Sequence, residues 1–129
     1  ATAFGVRWIV ETLQSAGVPV SRFVASGGLP LKSPLLMQIY ADVLGQPIHR
    51  AASRQPVALG AAILGAAAAA QRAAIAPLVQ RMATRRTDLI DTPDPPAHRA
   101  YQSLYRHYRA LGDANGGVVE TMRALRRER

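Results

Sequence analysis

The part of the chain best equipped for chemistry is Ser26-Gly27-Gly28-Leu29-Pro30-Leu31-Lys32-Ser33-Pro34. Two successive glycines let a backbone come up against a ligand with no Cβ in the way. A helix starting just beyond them offers unpaired N–H groups to an anion or to the polar edge of a base. The chemistry on offer is recognition, not bond breaking. A glycine pair after a strand is also how many structural turns are built, so spacing alone leaves both readings open. Elsewhere the reactive residue types are scattered. His49, His98 and His107 lack metal-ligand spacing, and no Ser-His-Asp set or carboxylate pair can be argued. Gln38 and Asp42 lie one helical turn apart, where they can contact a metal-bound water or simply cap and solvate a helix face. Tyr101, Tyr105 and Tyr108 look superficially like a platform for a base, but their helical spacing assigns them to core packing.

Holding the glycine pair in place requires a strand before it and a helix after it, and the pattern supplies both. Residues 3–16 carry Phe4, Trp8, Ile9 and Leu13 at helical spacing, stopped by Gly17 and Pro19. Arg22 to Ser26 reads as a short buried strand that the glycines end. Ser33 can cap a helix whose first position is Pro34, with Leu35, Leu36, Ile39, Tyr40 and Val43 recurring up to Gly45. Pro47 to Ala51 reads as a second strand, and Pro56 opens a helix to about Ala70. The two strands are expected to be parallel, with ligands at their C-terminal ends. Gly60, Ala61, Ala62, Gly65 and Ala66 are small enough for close helix packing, Gly60 being the best placed to touch a ligand. A further short helix is expected around Ile75, Leu78, Val79 and Met82, with Pro77 in its first turn. Asp91 to Pro96 is expected to be extended, followed by a helical stripe of Tyr101, Leu104, Tyr105, Tyr108 and Leu111. A last helix runs from Val118 to Arg127.

Length and composition set the outer bounds. With 129 residues the expectation is one domain, an α/β core over 1–90 and a helical tail over 91–129. Cysteine is absent, so there is neither a disulfide framework nor a thiolate metal site, in keeping with a cytoplasmic location. The net charge of +8 invites a nucleic-acid reading. Its arginines are spread along the chain, however, and the densest group, Arg123 to Arg129, sits where cations meet the negative end of a helix. The expectation is therefore neither a nucleic-acid partner nor a membrane span. The first residues, Ala1 to Gly5, read as an internal cut. Two strands alone would leave Phe23, Val24 and Ile48 at an open edge, so a homo-oligomer is expected.

The string Gly27-Gly28-Leu29-Pro30, followed by Pro34-Leu35-Leu36-Met37-Gln38-Ile39-Tyr40-Ala41-Asp42-Val43, resembles the C-terminal nucleotide motif of the FGGY carbohydrate kinases in its ribulokinase form. Pro47-Ile48, Ala58-Leu59-Gly60-Ala61-Ala62-Ile63 and Pro93-Asp94-Pro95 continue the resemblance in the same order, over nearly the whole chain. It implies the C-terminal part of an actin-like, ribonuclease H-like ATPase lobe, with short parallel strands flanked by helices and a helical C-terminal tail. It implies ATP and magnesium as cofactors, a ketopentose, ribulose above all, as co-substrate, and a place in arabinose metabolism. Gly27 and Gly28 would lie against the phosphates and ribose, with Leu29 beside them. Gly60 would lie nearby, and Ser33 would stand where relatives carry asparagine near adenine. The sequence departs from the pattern at Ser33, at Arg54-Gln55 and at Leu111-Gly112-Asp113, which replaces Leu-His-Asp. None of Asp42, Asp88, Asp91, Asp94 and Asp113 matches the family's catalytic aspartate, which the resemblance puts upstream, so the isolated chain is expected to be inactive. Alternatives are a xylulokinase or another FGGY kinase, or a non-catalytic oligomerising or nucleic-acid-binding module.

Overall fold

The computed structural model describes residues 1–70, 74–83, 85–112 and 117–127. In chain order the elements are α1 (Thr2–Ser15), β1 (Phe23–Ala25), α2 (Gly28–Lys32), α3 (Pro34–Leu44), β2 (Ile48–Ala51), α4 (Pro56–Ala69), α5 (Ile75–Met82), β3 (Arg85–Asp91), α6 (Pro95–Gly112) and α7 (Gly117–Arg127). They fall into two compact units, Ser21–Ala41 with Gln46–Thr92, and Ala1–Val20 with Asp42–Gly45 and Pro93–Arg129.

The first unit carries the sheet. β1 and β2 pair in parallel, Phe23 opposite Ile48, as expected for strands joined through helices. β3 then pairs antiparallel on the other side of β2, with Ile48 opposite Asp91 and a break in register between His49 and Arg50. The sequence pattern gives no strand here, because Arg85-Arg86-Thr87-Asp88 lacks any alternation of apolar residues. Its consequence is a correction: β2 is central, and Ile48, expected on an open edge, is buried. Val24 on β1 stays half exposed. Along β2 the side chains alternate, so Ile48 and Arg50 share the buried face.

Arg50 is 7% exposed, and a charge so placed must be paired. Its Nε and Nη2 donate to the two carboxylate oxygens of Asp91 at 2.8 and 2.5 Å, and Nη1 donates to the carbonyl of Pro30 at 3.0 Å. Pro30, Met37, Ala41 and Ile63 are buried in this unit as well. In α4 only Ile63 is buried among the described residues. Ala61, Ala62 and Gly65 are exposed, and a Cβ added at Gly60 or Gly65 would meet nothing within 4 Å, so among the described residues these four are not closely packed against a neighbour.

The second unit is helical. Phe4 of α1 lies between Tyr101, Tyr105 and Tyr108 of α6, with ring centroids 6.1, 5.6 and 5.4 Å away, so the tyrosine stripe is core packing. Leu104 and Leu111 fall outside that stripe and are exposed, as are Ile9 and Leu13, which line an open apolar hollow of about 360 Å³ with Gly5, Trp8 and Thr12. α6 begins earlier than the prolines suggest. Asp94 caps it, its Oδ2 accepting the Ala97 N–H at 3.2 Å, and Pro95 and Pro96 occupy first-turn positions where no N–H is needed. The last turn of α3 is closed by side chains from this unit. The Asp42 carbonyl lies 2.6 Å from His98 Nδ1, the Val43 carbonyl accepts Arg7 Nη1 at 3.2 Å, and Gly45 leaves the helix at φ 65°. His98 Nε2 is 2.9 Å from Gln102 Nε2, and Gln102 Oε1 accepts Arg7 Nη2 at 2.9 Å.

Glu11 gathers the remaining charge. Burial raises its pKa, but hydrogen bonds from Tyr105 and Arg7, with the charges of Arg7 and Arg109, outweigh burial and hold it below 4.5. Burial and the hydrogen bond to Glu11 push the Tyr105 hydroxyl above 10.

Two outcomes follow. Arg50→Ala leaves the Asp91 carboxylate, only 12% exposed, without its guanidinium and is expected to cost about 3–5 kcal/mol. Arg50→Met combined with Asp91→Leu is expected to be close to neutral, because removal of a buried ion pair offsets the Pro30 carbonyl it leaves bare; urea unfolding midpoints check both. Glu11, with its depressed pKa, stabilises the fold above its unfolded value, and that contribution is lost as pH falls through the lower folded value. Tyr105, with its raised pKa, stabilises below its unfolded value and loses this as pH rises through the folded one. Unfolding measured across pH should show Glu11→Gln flattening the acid limb and Tyr105→Phe the alkaline limb.

Candidate functional site

The glycine pair sits where β1 gives way to α2. Gly27 has φ 97° and ψ −169°, a region essentially closed to residues with a side chain, so the backbone itself demands glycine there. Gly28 is different. Its φ is not positive, and a Cβ built on it meets nothing within 4 Å. Among the described residues nothing calls for glycine at this exposed position, and the space beside it is open. Leu29 follows with its side chain 56% exposed, while Pro30 turns inward.

The helix that follows is not the one the sequence pattern supplies. α2 has five residues and ends at Lys32, before the motif helix α3 starts at Pro34. So short a helix has little dipole, so the N–H groups its first turn leaves without intrahelical partners act with little support from the helix. Ser33 stands between the two helices. Its N–H bonds the Leu29 carbonyl at 3.0 Å, and its Oγ accepts the Leu36 N–H at 3.4 Å, the capping role expected from its place before Pro34. That bond leaves the hydroxyl proton to be donated elsewhere.

What ties α2 down is Arg50. In a continuing helix the Pro30 carbonyl would accept the N–H four residues on, but that residue is Pro34 and has none. Ser33, one position closer, is already engaged with Leu29. The buried guanidinium takes the vacant place at 3.0 Å. Sequence reasoning missed Arg50 and Asp91; the one available signal was an arginine two residues after Ile48, on the same face of a short strand.

Gly60 lies on α4 and lines a separate hollow of about 230 Å³ with Val24, Ala51, Ser53, Pro56, Leu59, Ile63 and Ala83. Gly27, Gly28, Leu29 and Ser33 follow one another between β1 and α3 and are not among its lining residues, and Gly60 belongs to the same unit. Gln38 and Asp42 do not solvate a helix face. Gln38 Nε2 donates to the Thr92 carbonyl at 2.8 Å, and Asp42, 5% exposed, accepts the Asp94 N–H at 2.7 Å. Asp91 is held by Arg50 and Asp94 caps α6. Asp113 lies outside the described residues, as does the side chain of Asp88. Among the described residues no three His, Asp or Glu side chains gather as a metal site, and no helix is long and apolar enough to cross a membrane.

Comparison with known proteins places this geometry. Residues 1–69 match the C-terminal domain of the FGGY family of carbohydrate kinases. A ribulokinase from Mycolicibacterium smegmatis is 48% identical over 126 residues, 98% of this chain and 22% of the relative. A ribulokinase from Shouchella clausii (strain KSM-K16) is 40% identical over 133 residues, 98% of this chain and 24% of the relative. Among solved structures, xylulose kinase from Rhodospirillum rubrum superposes with a TM-score of 0.68 at 34% identity, over 86% of this chain and 22% of that one. The chain thus spans between a fifth and a quarter of the relatives it matches, and its small mixed sheet, flanking helices and helical C-terminal part are those expected of an actin-like ATPase lobe. On the match across residues 1–69 and the identity that runs to both ends, this chain belongs to the FGGY family of carbohydrate kinases, a family of enzymes, and represents a C-terminal portion of it.

Proposed function

We propose that this chain is the nucleotide-holding part of an ATP-dependent kinase that transfers the γ-phosphoryl group to a hydroxyl of a ketopentose, ribulose before others. The observation that carries the proposal is Gly28: a glycine that neither backbone conformation nor internal packing requires, bordered by open space. A Cβ withheld where the chain has no need to withhold it leaves room for something outside the chain to approach the backbone. The sugar class follows from the ribulokinase relatives; the xylulose kinase structure supports xylulose as the second reading.

In this reading Gly27 and Gly28 bring backbone against the phosphates and ribose, Leu29 covers the sugar edge, and the free hydroxyl proton of Ser33 reaches towards the base. Gly60 closes the site from the adjacent wall. Bound there, ATP with its magnesium supplies the transferable phosphoryl group and the cation that neutralises its charge. The chain's own part is to hold and orient. No carboxylate of this chain is assigned to magnesium: Asp42 is buried on the Asp94 N–H and Asp91 is held by Arg50. The base that takes the sugar's proton is assigned to no residue of this chain. A cytoplasmic location and self-association through the free side of β1, where Val24 is exposed, belong to the same proposal.

A coupled kinase assay of the intact gene product with ribulose, xylulose and glycerol tests it. ATP consumption should depend on a ketopentose and on magnesium, with ribulose giving the highest kcat/KM; indifference to all three would refute the proposal. Gly28→Val should raise the KM for ATP by about tenfold or more and leave the KM for sugar unchanged, because the branched side chain enters the nucleotide's space and nothing else. An unchanged KM for ATP in a folded Gly28→Val protein would return Gly28 to an ordinary turn.

A further inference from the structure

We infer that Arg50 is a positioning residue for nucleotide binding: through the carbonyl of Pro30 it sets where α2, and with it the backbone at Gly27 and Gly28, stands against the sheet. This rests on the reading that ATP lies against those glycines.

The chemistry of the guanidinium is what makes it a locator. Asp91 accepts Nε and Nη2 together, and this two-point contact fixes the plane of the fork. With the plane fixed, the direction of Nη1 is fixed as well, and that nitrogen donates to Pro30. Pro30 is the third residue of α2 and Gly28 its first, so the bond acts within a single turn of the glycines. A five-residue helix does not hold its own place in water, and this one carries a carbonyl that Pro34 cannot serve. Arg50 therefore joins β2, β3 and α2 through one buried group. Lysine cannot replace it, because an ammonium is a single point that cannot face both a carboxylate edge and a carbonyl with fixed orientation. Arg50 pairs with Ala25, two residues before Gly27, but its guanidinium is buried on the Asp91 carboxylate and the Pro30 carbonyl, so its effect on binding is exerted through α2.

The test is steady-state kinetics of the intact gene product, with ribulose and ATP varied separately, on three proteins: Arg50→Met with Asp91→Leu, Arg50→Lys, and Gly28→Val. The double variant removes both members of the Arg50–Asp91 pair and frees α2. It is expected to keep its unfolding midpoint while the KM for ATP rises about tenfold and the KM for ribulose stays the same. Arg50→Lys, which keeps the charge but loses the fork, should show a smaller rise of the same kind. If Gly28→Val raises the KM for ATP and the folded double variant does not, the positioning role is refuted and the nucleotide reading stands. Equal rises for ATP and ribulose would mean general loosening and would also refute it. If Gly28→Val leaves the KM for ATP unchanged, the nucleotide reading falls and this inference with it. Should the double variant fail to fold, Arg50→Lys decides the matter, and an unchanged KM for ATP there overturns the inference.

Discussion

The carbonyl of Pro30 has no helical donor, because the residue four positions on is Pro34, and the chain answers with a buried guanidinium carried by the central strand. The rest of the sheet unit is arranged around that answer. A buried arginine must be neutralised, which requires a carboxylate on the same face, and Asp91 at the end of β3 provides it. β3 must therefore pair with β2, and its pairing in turn buries Ile48. One missing N–H in a proline-rich loop thus bears on the order of the strands and on the lie of the glycine pair.

The elements that the sequence makes legible are those whose ends are marked by backbone necessity. α1 ends where Gly17 takes φ 82°, and α3 is bounded by Ser33, Pro34 and a Gly45 at φ 65°. α4 opens on Pro56, a first-turn residue that costs the helix nothing. The glycine motif is legible for the same reason, since Gly27 occupies a conformation that only glycine enters readily. β3 is not legible, because its stabilisation comes from a neighbour and not from its own composition: Arg85-Arg86-Thr87-Asp88 acquires strand geometry only by lying beside β2. Arg50 and Asp91 escape notice together, as two charges 41 positions apart that make sense only once β3 exists. Pro95 and Pro96 mislead in the opposite sense: they resemble an extended link yet open an 18-residue helix, because Asp94 supplies the cap.

Exposure separates residues that a periodic pattern treats alike. On α1, Phe4 enters the tyrosine cluster while Ile9 and Leu13 do not; on α6, Tyr105 is buried while Leu104 and Leu111 face outward. The glycine at position 112 has a local cause. The ring of Trp8 fills the place a Cβ would take, and Arg109 lies over that ring 4.5 Å from its centroid. A bulky residue at position 8 and a bare one at position 112 are two halves of a single packing solution.

The line that runs from Arg7 through Gln102 and His98 to the Asp42 carbonyl has a polarity, and its sense is dictated from one end. An arginine can only donate, so the amide of Gln102 must turn its oxygen towards Arg7 and its nitrogen towards the imidazole. The imidazole nitrogen it meets must then be the lone-pair side, which leaves the ring proton on Nδ1, aimed at the helix carbonyl. Tautomer and amide orientation are thus not independent choices but a sequence of forced moves, like dominoes falling from a fixed cation. Reversing any one member obliges all the others to reverse, and the guanidinium cannot, so the termination of the motif helix is held by a one-way proton grammar written three groups away.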